Sequence, residues 1–429
     1  MKKEKKISVI TLGCSKNTVD SERLINQLKI NNLKVVSDPN KADTVIINTC
    51  GFIEAAKQES INTILEAVER KNAGKISKVV VAGCLSQRYK DDLKIEIPDV
   101  DGYYGTEDYK GILKNLGVDL KRNLLGEREL TTPKHFAYLK ISEGCDNPCS
   151  FCAIPLMRGK HKSKPMDELI SETESLAKKG VKELIIIGQD TTDYGIDIYG
   201  KRNIAELLNE LSKVEGIEWI RLLYAYPSHF PDSLIKTIAE NPKVCKYIDL
   251  PLQHISDKVL KSMRRGITKR RTLELINKLR TEIPELVLRT TFIVGYPAES
   301  LKEFEELCDF VEETKFDRIG VFNYSVEENT SAFILGDKIS EDEKEMRRDK
   351  IMGIQKEISL TKNQCMIGRR IRVLIDDKEK DYYIGRSQSD APEVDGEVIV
   401  YSEKKLIVGN FYFVEIYDCN EYDLFAKTN

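Results

Sequence analysis

The sequence predicts an α/β protein in three parts: an N-terminal open parallel α/β domain, a central partial (β/α) barrel, and a small C-terminal antiparallel β-barrel. Three observations carry this. Over residues 1–132, short Val- and Ile-rich runs alternate with amphipathic helical stretches, the pattern of a parallel sheet covered by helices. Over 133–365 the alternation recurs six times in succession, as in a shortened relative of the (β/α)₈ fold. From 366 to 429, short β runs separated by turns replace it. A chain of 429 residues has room for three cores.

Taken in order, the first part offers strands at 7–12, 44–48 and 78–82 and helices at 21–31 and 54–71. Ser21 is the expected N-cap of the first helix, with Glu22 in its opening turn. The middle part offers strands at 136–142, 183–188, 219–225, 246–250, 286–294 and 318–324. Helices at 166–179, 204–214, 231–240, 258–283 and 301–314 separate them. A charged stretch at 340–364, with Glu and Lys three and four apart, predicts a solvated helix. The last part offers strands at 371–375, 382–385, 398–401 and 411–416.

Cysteines mark both larger parts. The run Cys145-Asp146-Asn147-Pro148-Cys149-Ser150-Phe151-Cys152 brings three thiols into eight residues. Three converging thiolates suit a cubane iron–sulfur cluster with one iron left without a protein ligand. Zinc needs a fourth ligand, and the nearest histidine, His161, lies nine residues further on. Each early strand also runs into a cysteine: Cys14, Cys50 and Cys84. Ligands of an open parallel sheet bind beyond the carboxyl ends of its strands, so these three predict a second cluster. The adjoining Gly13, Gly51 and Gly83 are expected to leave room for it. Cys245, Cys308, Cys365 and Cys419 have no ligand spacing and read as packing residues.

Barrel sites lie at the carboxyl ends of strands, which places Gln189, Asp190, Gln253, His254 and Arg289 on one rim as candidates to hold a cofactor. Arg158-Gly159-Lys160 is either a partner for a carboxylate or a solvated turn. A net charge of −3 gives no global reason to expect nucleic acid or an anionic membrane as partner. No stretch approaches the roughly 20 apolar residues of a membrane span, and the N-terminus offers only a short apolar run. A cytoplasmic location is expected, where thiols serve metals rather than disulfides. Residues 366–429 hold nine Lys and Arg against thirteen Asp and Glu, a net −4, which points to a basic protein partner rather than to phosphates.

Over essentially its whole length the chain resembles the radical S-adenosylmethionine methylthiotransferases. The resemblance rests on the six cysteines and on Leu12-Gly13-Cys14-Ser15-Lys16-Asn17. It also rests on Ala153-Ile154-Pro155-Leu156-Met157-Arg158-Gly159 and Asp390-Ala391-Pro392-Glu393-Val394-Asp395-Gly396. It implies a methylthiotransferase domain at 1–132, a radical S-adenosylmethionine domain at 133–365 and a TRAM domain at 366–429. Within the family the chain is most similar to the branch that modifies the β-carbon of an aspartate in protein twelve of the small ribosomal subunit. The resemblance implies that Cys145, Cys149 and Cys152 hold a [4Fe–4S] cluster whose open iron takes S-adenosylmethionine. Reductive cleavage there would give a 5′-deoxyadenosyl radical. Cys14, Cys50 and Cys84 would hold a second [4Fe–4S] cluster carrying the sulfur to be inserted, and another S-adenosylmethionine would donate the methyl group. Gln189, Asp190 and Arg289 are expected at the cofactor from barrel position alone. The implied partners are a basic ribosomal protein, or the subunit containing it, and a reducing electron donor. Two other readings are a tRNA methylthiotransferase of the same family and a non-catalytic iron–sulfur binding protein.

Overall fold

The computed structural model describes residues 5–121 and 126–428. In the N-terminal part, β1 (Lys6–Thr11), α1 (Ser15–Ile30), β2 (Lys34–Val35), β3 (Thr44–Thr49), α2 (Glu54–Asn72) and β4 (Lys78–Gly83) build a four-stranded sheet of order β2-β1-β3-β4. Its pairings are all parallel. Short helices α3 (Cys84–Arg88), α4 (Lys90–Glu96) and α5 (Tyr109–Asn115) follow. Helix α1 begins six residues before the expected start. Cys14 occupies its N-cap position, and Ser21 is buried in its interior, accepting from Thr11 Oγ1 and Asn48 Nδ2. The polar opening Ser15-Lys16-Asn17 hides this start because it carries no apolar periodicity.

The middle part begins with β5 (Phe136–Lys140). Next come the paired β6 (Ser142–Glu143) and β7 (Lys162–Ser163), with α6 (Ile154–Arg158) between them. Then follow α7 (Met166–Lys178), β8 (Glu183–Ile187), α8 (Ile196–Tyr199), α9 (Ile204–Ser212), β9 (Trp219–Leu222), α10 (Asp232–Glu240) and β10 (Val244–Asp249). They continue with α11 (Asp257–Ser262), α12 (Lys269–Glu282), β11 (Val287–Val294), α13 (Leu301–Thr314), β12 (Arg318–Asn323) and α14 (Glu341–Gln364). Six parallel strands run in the order β12-β11-β10-β9-β8-β5, so the barrel is open between its first and last strands. One sheet face packs on the helices through a core including Leu139, Ile186, Leu222, Ile248 and Phe292.

Two expectations change here. The stretch 258–283 is two helices, because Arg264 and Gly266 adopt positive φ (54° and 67°) and Thr268 caps the second helix by accepting from Arg271 N. Helix α14 is not merely solvated: Lys344, Arg347, Ile351, Gln355, Ser359 and Asn363 form a buried stripe along it. The Lys344 ammonium is satisfied by Asp337, Glu341 and the Tyr324 carbonyl.

The C-terminal part closes a barrel β13-β14-β15-β17-β16 from β13 (Arg370–Lys378), β14 (Tyr383–Arg386), β15 (Val398–Tyr401), β16 (Phe411–Cys419) and β17 (Leu424–Lys427). The last strand is additional to the four expected, and its pairing with β15 is parallel. Leu374, Ala391 and Phe411 of this barrel pack on Phe136, Tyr138, Trp219 and Tyr247, near the starts of the central strands. Many of its acids turn inward. Asp376 holds Arg386 and His135, Asp390 holds Arg318, and Asp395 faces Arg289 and Tyr247. Part of the net −4 is therefore neutralised at this seam.

Candidate active site

The loop after β5 is built to hold its three cysteines half-buried. The β6–β7 pair closes its base. Gly144 has φ +70°, and a Cβ there would run into the backbone of Gly159 and Lys160, so only glycine fits. Cys145 N donates to Gly159 O at 3.1 Å, and Ser150 N to Met263 O at 2.9 Å. Phe151 packs on a cluster containing Met263, Tyr296 and Tyr324. The break between α11 and α12 delivers Arg265, whose Nη1 donates to Cys149 Sγ at 3.3 Å. The Tyr226 hydroxyl lies 3.6 Å from the same sulfur. Asn147 Nδ2 donates to Cys145 Sγ at 3.4 Å and to Asp190 Oδ2 at 2.7 Å. Burial pushes the Cys145 thiol up to about 11 and the Cys152 thiol up to about 12.

The second trio is assembled from three strand ends. β1, β3 and β4 lie side by side in parallel register, with Thr11 opposite Asn48 and Thr49 opposite Gly83. Cys14, Cys50 and Cys84 therefore emerge together. The glycines do not leave the expected room for a ligand. A Cβ on Gly13 would lie 2.6 Å from Cys50 Cβ, one on Gly51 would lie 2.9 Å from the Leu85 backbone, and one on Gly83 would strike Thr49. They let the three cysteine segments touch one another. Asn17 ties the segments, donating to Leu12 O at 2.7 Å and to Thr49 O at 3.0 Å. Burial pushes the Cys84 thiol up to about 12 and raises Cys50, with Arg158 pulling the other way in both.

Arg158, at the end of α6, joins the two trios. Its guanidinium donates to Asn17 Oδ1 at 2.6 Å, to Asp20 Oδ2 at 3.1 Å and to Glu143 Oε1 at 2.8 Å. Lys140, fully buried at the end of β5, also pairs with Asp20, and with Glu143 at 2.5 Å. Burial works against the Glu143 carboxylate, but Lys140 and Arg158 outweigh it and hold the group down to about 2. Cys84 packs against Ala153 and Met157 of the other trio's helix. Of the two readings of Arg158, the partner for carboxylates is the observed one.

The remaining candidates divide. Gln189 Nε2 donates to Glu143 at 3.1 Å, leaving Oε1 buried without a partner among the described residues; Gln253 Oε1 is likewise unpartnered. Asp190 is buried and committed to Asn147 and Thr192, and its burial raises its pKa. Arg289 is held by Asp249 at 3.1 Å and faces Asp395, at the seam with the C-terminal barrel. His254 forms a buried pair with Glu299. Of the cysteines read as packing, Cys245 and Cys308 are buried, whereas Cys365 is exposed. Arg265, Tyr226 and Asn147 escape the sequence reading, although Gly266 after Arg265 signals the helix break that delivers the arginine. Among the described residues no three His, Cys, Asp or Glu side chains converge on one metal ion. A cubane needs no such convergence, since it presents a separate iron to each thiolate. The donor sets fit that group: three thiols each, mutually repelling if ionised, with a guanidinium beside each set.

Three family descriptions match along the chain: the uncharacterized protein family UPF0004 over residues 6–105, the radical SAM superfamily over 139–311 and the TRAM domain over 367–428. Among solved structures, the fold is similar to the radical S-adenosylmethionine methyltransferase TsrM from Kitasatospora setae. That match has a TM-score of 0.56 at 13% identity, covering 74% of this chain and 72% of the other. It is also similar to the cobalamin-dependent S-adenosylmethionine radical enzyme OxsB, with a TM-score of 0.52 at 13% identity, covering 81% and 56%. Fold and sequence matches together define a radical SAM methylthiotransferase. A protein of Chloroherpeton thalassium named ribosomal protein uS12 methylthiotransferase RimO is 55% identical over 99% of both chains. Proteins of the same name from Christiangramia forsetii and Phocaeicola vulgatus are 53% identical (99% of this chain, 94% of the other) and 50% identical (99% of both). The chain belongs to the RimO family.

Proposed function

We propose that this enzyme methylthiolates the β-carbon of an aspartate in ribosomal protein uS12, and that residues 1–132, 133–365 and 366–429 are its functional units. One observation supports the reading beyond kinship: a single buried guanidinium, that of Arg158, ties Asn17 and Asp20 in the helix that begins at Cys14 to Glu143 at the base of the cysteine loop. In this reading Cys145, Cys149 and Cys152 hold one [4Fe–4S] cluster, and Cys14, Cys50 and Cys84 hold the other. When bound, the clusters and S-adenosylmethionine supply one-electron reduction, a carbon radical able to take hydrogen from an unactivated carbon, and the sulfur and methyl group.

The chain's own residues position and shield. Asn147 and Asp190 fix the Cys145 end of the loop, and Arg265 and Tyr226 fix Cys149. Gln189 and Gln253 offer unpaired acceptors to the cofactor. Arg289, expected at the cofactor, is instead engaged by Asp249 and Asp395 at the seam with the C-terminal barrel and has no cofactor contact in this reading. The Lys140–Asp20–Arg158–Glu143 network holds the two halves in one geometry, and the apolar packing of Cys84 on α6 keeps water from between them. The partners are the basic uS12 protein, free or in the subunit, and an electron donor; direct tRNA binding is not part of the reading.

The test uses reconstituted, reduced protein with S-adenosylmethionine and either a uS12 peptide containing the target aspartate or hypomodified tRNA. Methylthiolated peptide is expected. Modified tRNA with unmodified peptide would sink the assignment.

A further inference from the structure

Lys16 sits two residues after Cys14, in the first turn of α1. It is 8% exposed, yet no hydrogen bond or ion pair reaches it among the described residues. Its Nζ lies 3.1 Å from the centre of the Tyr224 ring. Neighbouring buried cations differ: Lys140, Arg158, Arg23 and Arg128 each close on a carboxylate. An aromatic face offsets part of the cost of burying an ammonium but cannot neutralise it.

Tyr224 is itself an unusual platform. It follows β9 at the carboxyl ends of the central strands, with φ +60°, a conformation that costs a bulky residue energy. Asp249 Oδ2 accepts from Tyr224 N at 3.1 Å, and Thr191 N donates to Tyr224 O at 3.1 Å, holding it there. Backbone strain thus sets a ring beneath a cation on the seam between helix α1 and the carboxyl ends of the central strands.

We propose that Lys16, seated on Tyr224, receives the side-chain carboxylate of the residue being modified, so that the site selects an acid. This rests on the protein-substrate reading above. In aspartate the carboxylate is bonded directly to the β-carbon, so fixing one fixes the other. Lys16 is carried by the element that begins at Cys14, the side read as sulfur-supplying, rather than by the loop read as taking S-adenosylmethionine. An amide or a nucleobase in the same place leaves the ammonium unneutralised, which is how such a site rejects them.

The experiment measures binding of labelled uS12 peptides, with the target aspartate or with asparagine in its place, to the reconstituted full-length enzyme. The unaltered enzyme is expected to bind the aspartate peptide about 100-fold more tightly, the scale of a charge-assisted contact. Lys16→Met, with both clusters retained by iron analysis, is expected to lose that preference, and Lys16→Arg to recover part of it. The two changes, one in the protein and one in the peptide, should not add. Equal binding of the two peptides by the unaltered enzyme would overturn the proposal, and that arm needs no variant to fold. Additive losses would overturn it, as would a Lys16→Met variant whose affinity for S-adenosylmethionine falls instead. Failure of the parent reading has a separate signature, modification of tRNA and of neither peptide, and the proposal falls with it.

Discussion

The two cysteine trios are gathered by opposite constructions. The loop trio is contiguous: eight residues closed by a two-residue strand pair and pinned at Ser150, Phe151 and Cys149. The strand trio has no local existence; its members are 36 and 34 residues apart in the chain and meet only when β1, β3 and β4 pair. A loop site depends on anchors that can be altered one at a time, whereas a strand-end site depends on the sheet as a whole. Arg158 then makes each answerable to the other.

The largest effect that can break this comparison comes from the cysteines. Replacing Cys145, Cys149 and Cys152 together by Ala should abolish 5′-deoxyadenosine formation and lower iron from about eight to about four per chain. The matching Cys14, Cys50 and Cys84 variant should lose the same iron but keep cleavage. Anaerobic iron and sulfide analysis with product chromatography distinguishes them, and loss of all iron in either variant would show that the trios are not separable.

Next comes Arg158→Met, which leaves Asp20 and Glu143 sharing Lys140 alone. Removing one partner from a buried ion network costs about 3–5 kcal/mol, to be read from denaturant unfolding. The sign of the pH dependence follows from Glu143. Its folded pKa, about 2, lies below its ordinary 4.5, so its contribution is present above pH 4.5 and is lost as pH falls toward 2. The variant should flatten that acid limb; an unchanged limb would show that Arg158 does not govern the carboxylate.

Smaller is the contrast between two glycines. Gly13→Ala meets both φ +89° and a Cβ contact 2.6 Å from Cys50 Cβ, whereas Gly159→Ala meets φ +73° in open space. Gly13→Ala should cost about 1–3 kcal/mol and deplete strand-trio iron, and Gly159→Ala about 1 kcal/mol with iron intact. Equal costs would mean that contact between the segments is unimportant.

A further contrast is at Lys164, on the seam beneath α1. Burial lowers its ammonium to about 7, despite Glu172 at 3.6 Å. Between pH 7 and its ordinary 10.5 the unfolded chain binds the extra proton, so this group makes stability rise with pH across that window. Lys164→Met should raise Tm at pH 7 and remove the rise; a lowered Tm would show the ammonium to be a needed partner of Glu172.

Much of this was legible in the sequence. All six central strands fall where the Val, Ile and Leu runs put them; β5, β8 and β9, buried at every position, show as near-continuous apolar segments, whereas β11 alternates buried and half-buried positions. The cysteine loop shows in its spacing, and Cys14, Cys50 and Cys84 in their common place after strands. What stayed hidden is what depends on distance. Nothing local marks Lys140 at the end of β5 as the mate of Asp20, 120 residues away. Arg265 lay inside a stretch whose apolar period continued through the break. The acidic C-terminal composition reads as a surface for a basic partner until Asp390 and Asp395 are seen facing Arg318 and Arg289.

That last seam has a consequence for traffic. With the C-terminal barrel seated against the starts of the central strands, that end of the sheet is occupied, and the cysteines are approached from the opposite end or from the open side of the barrel.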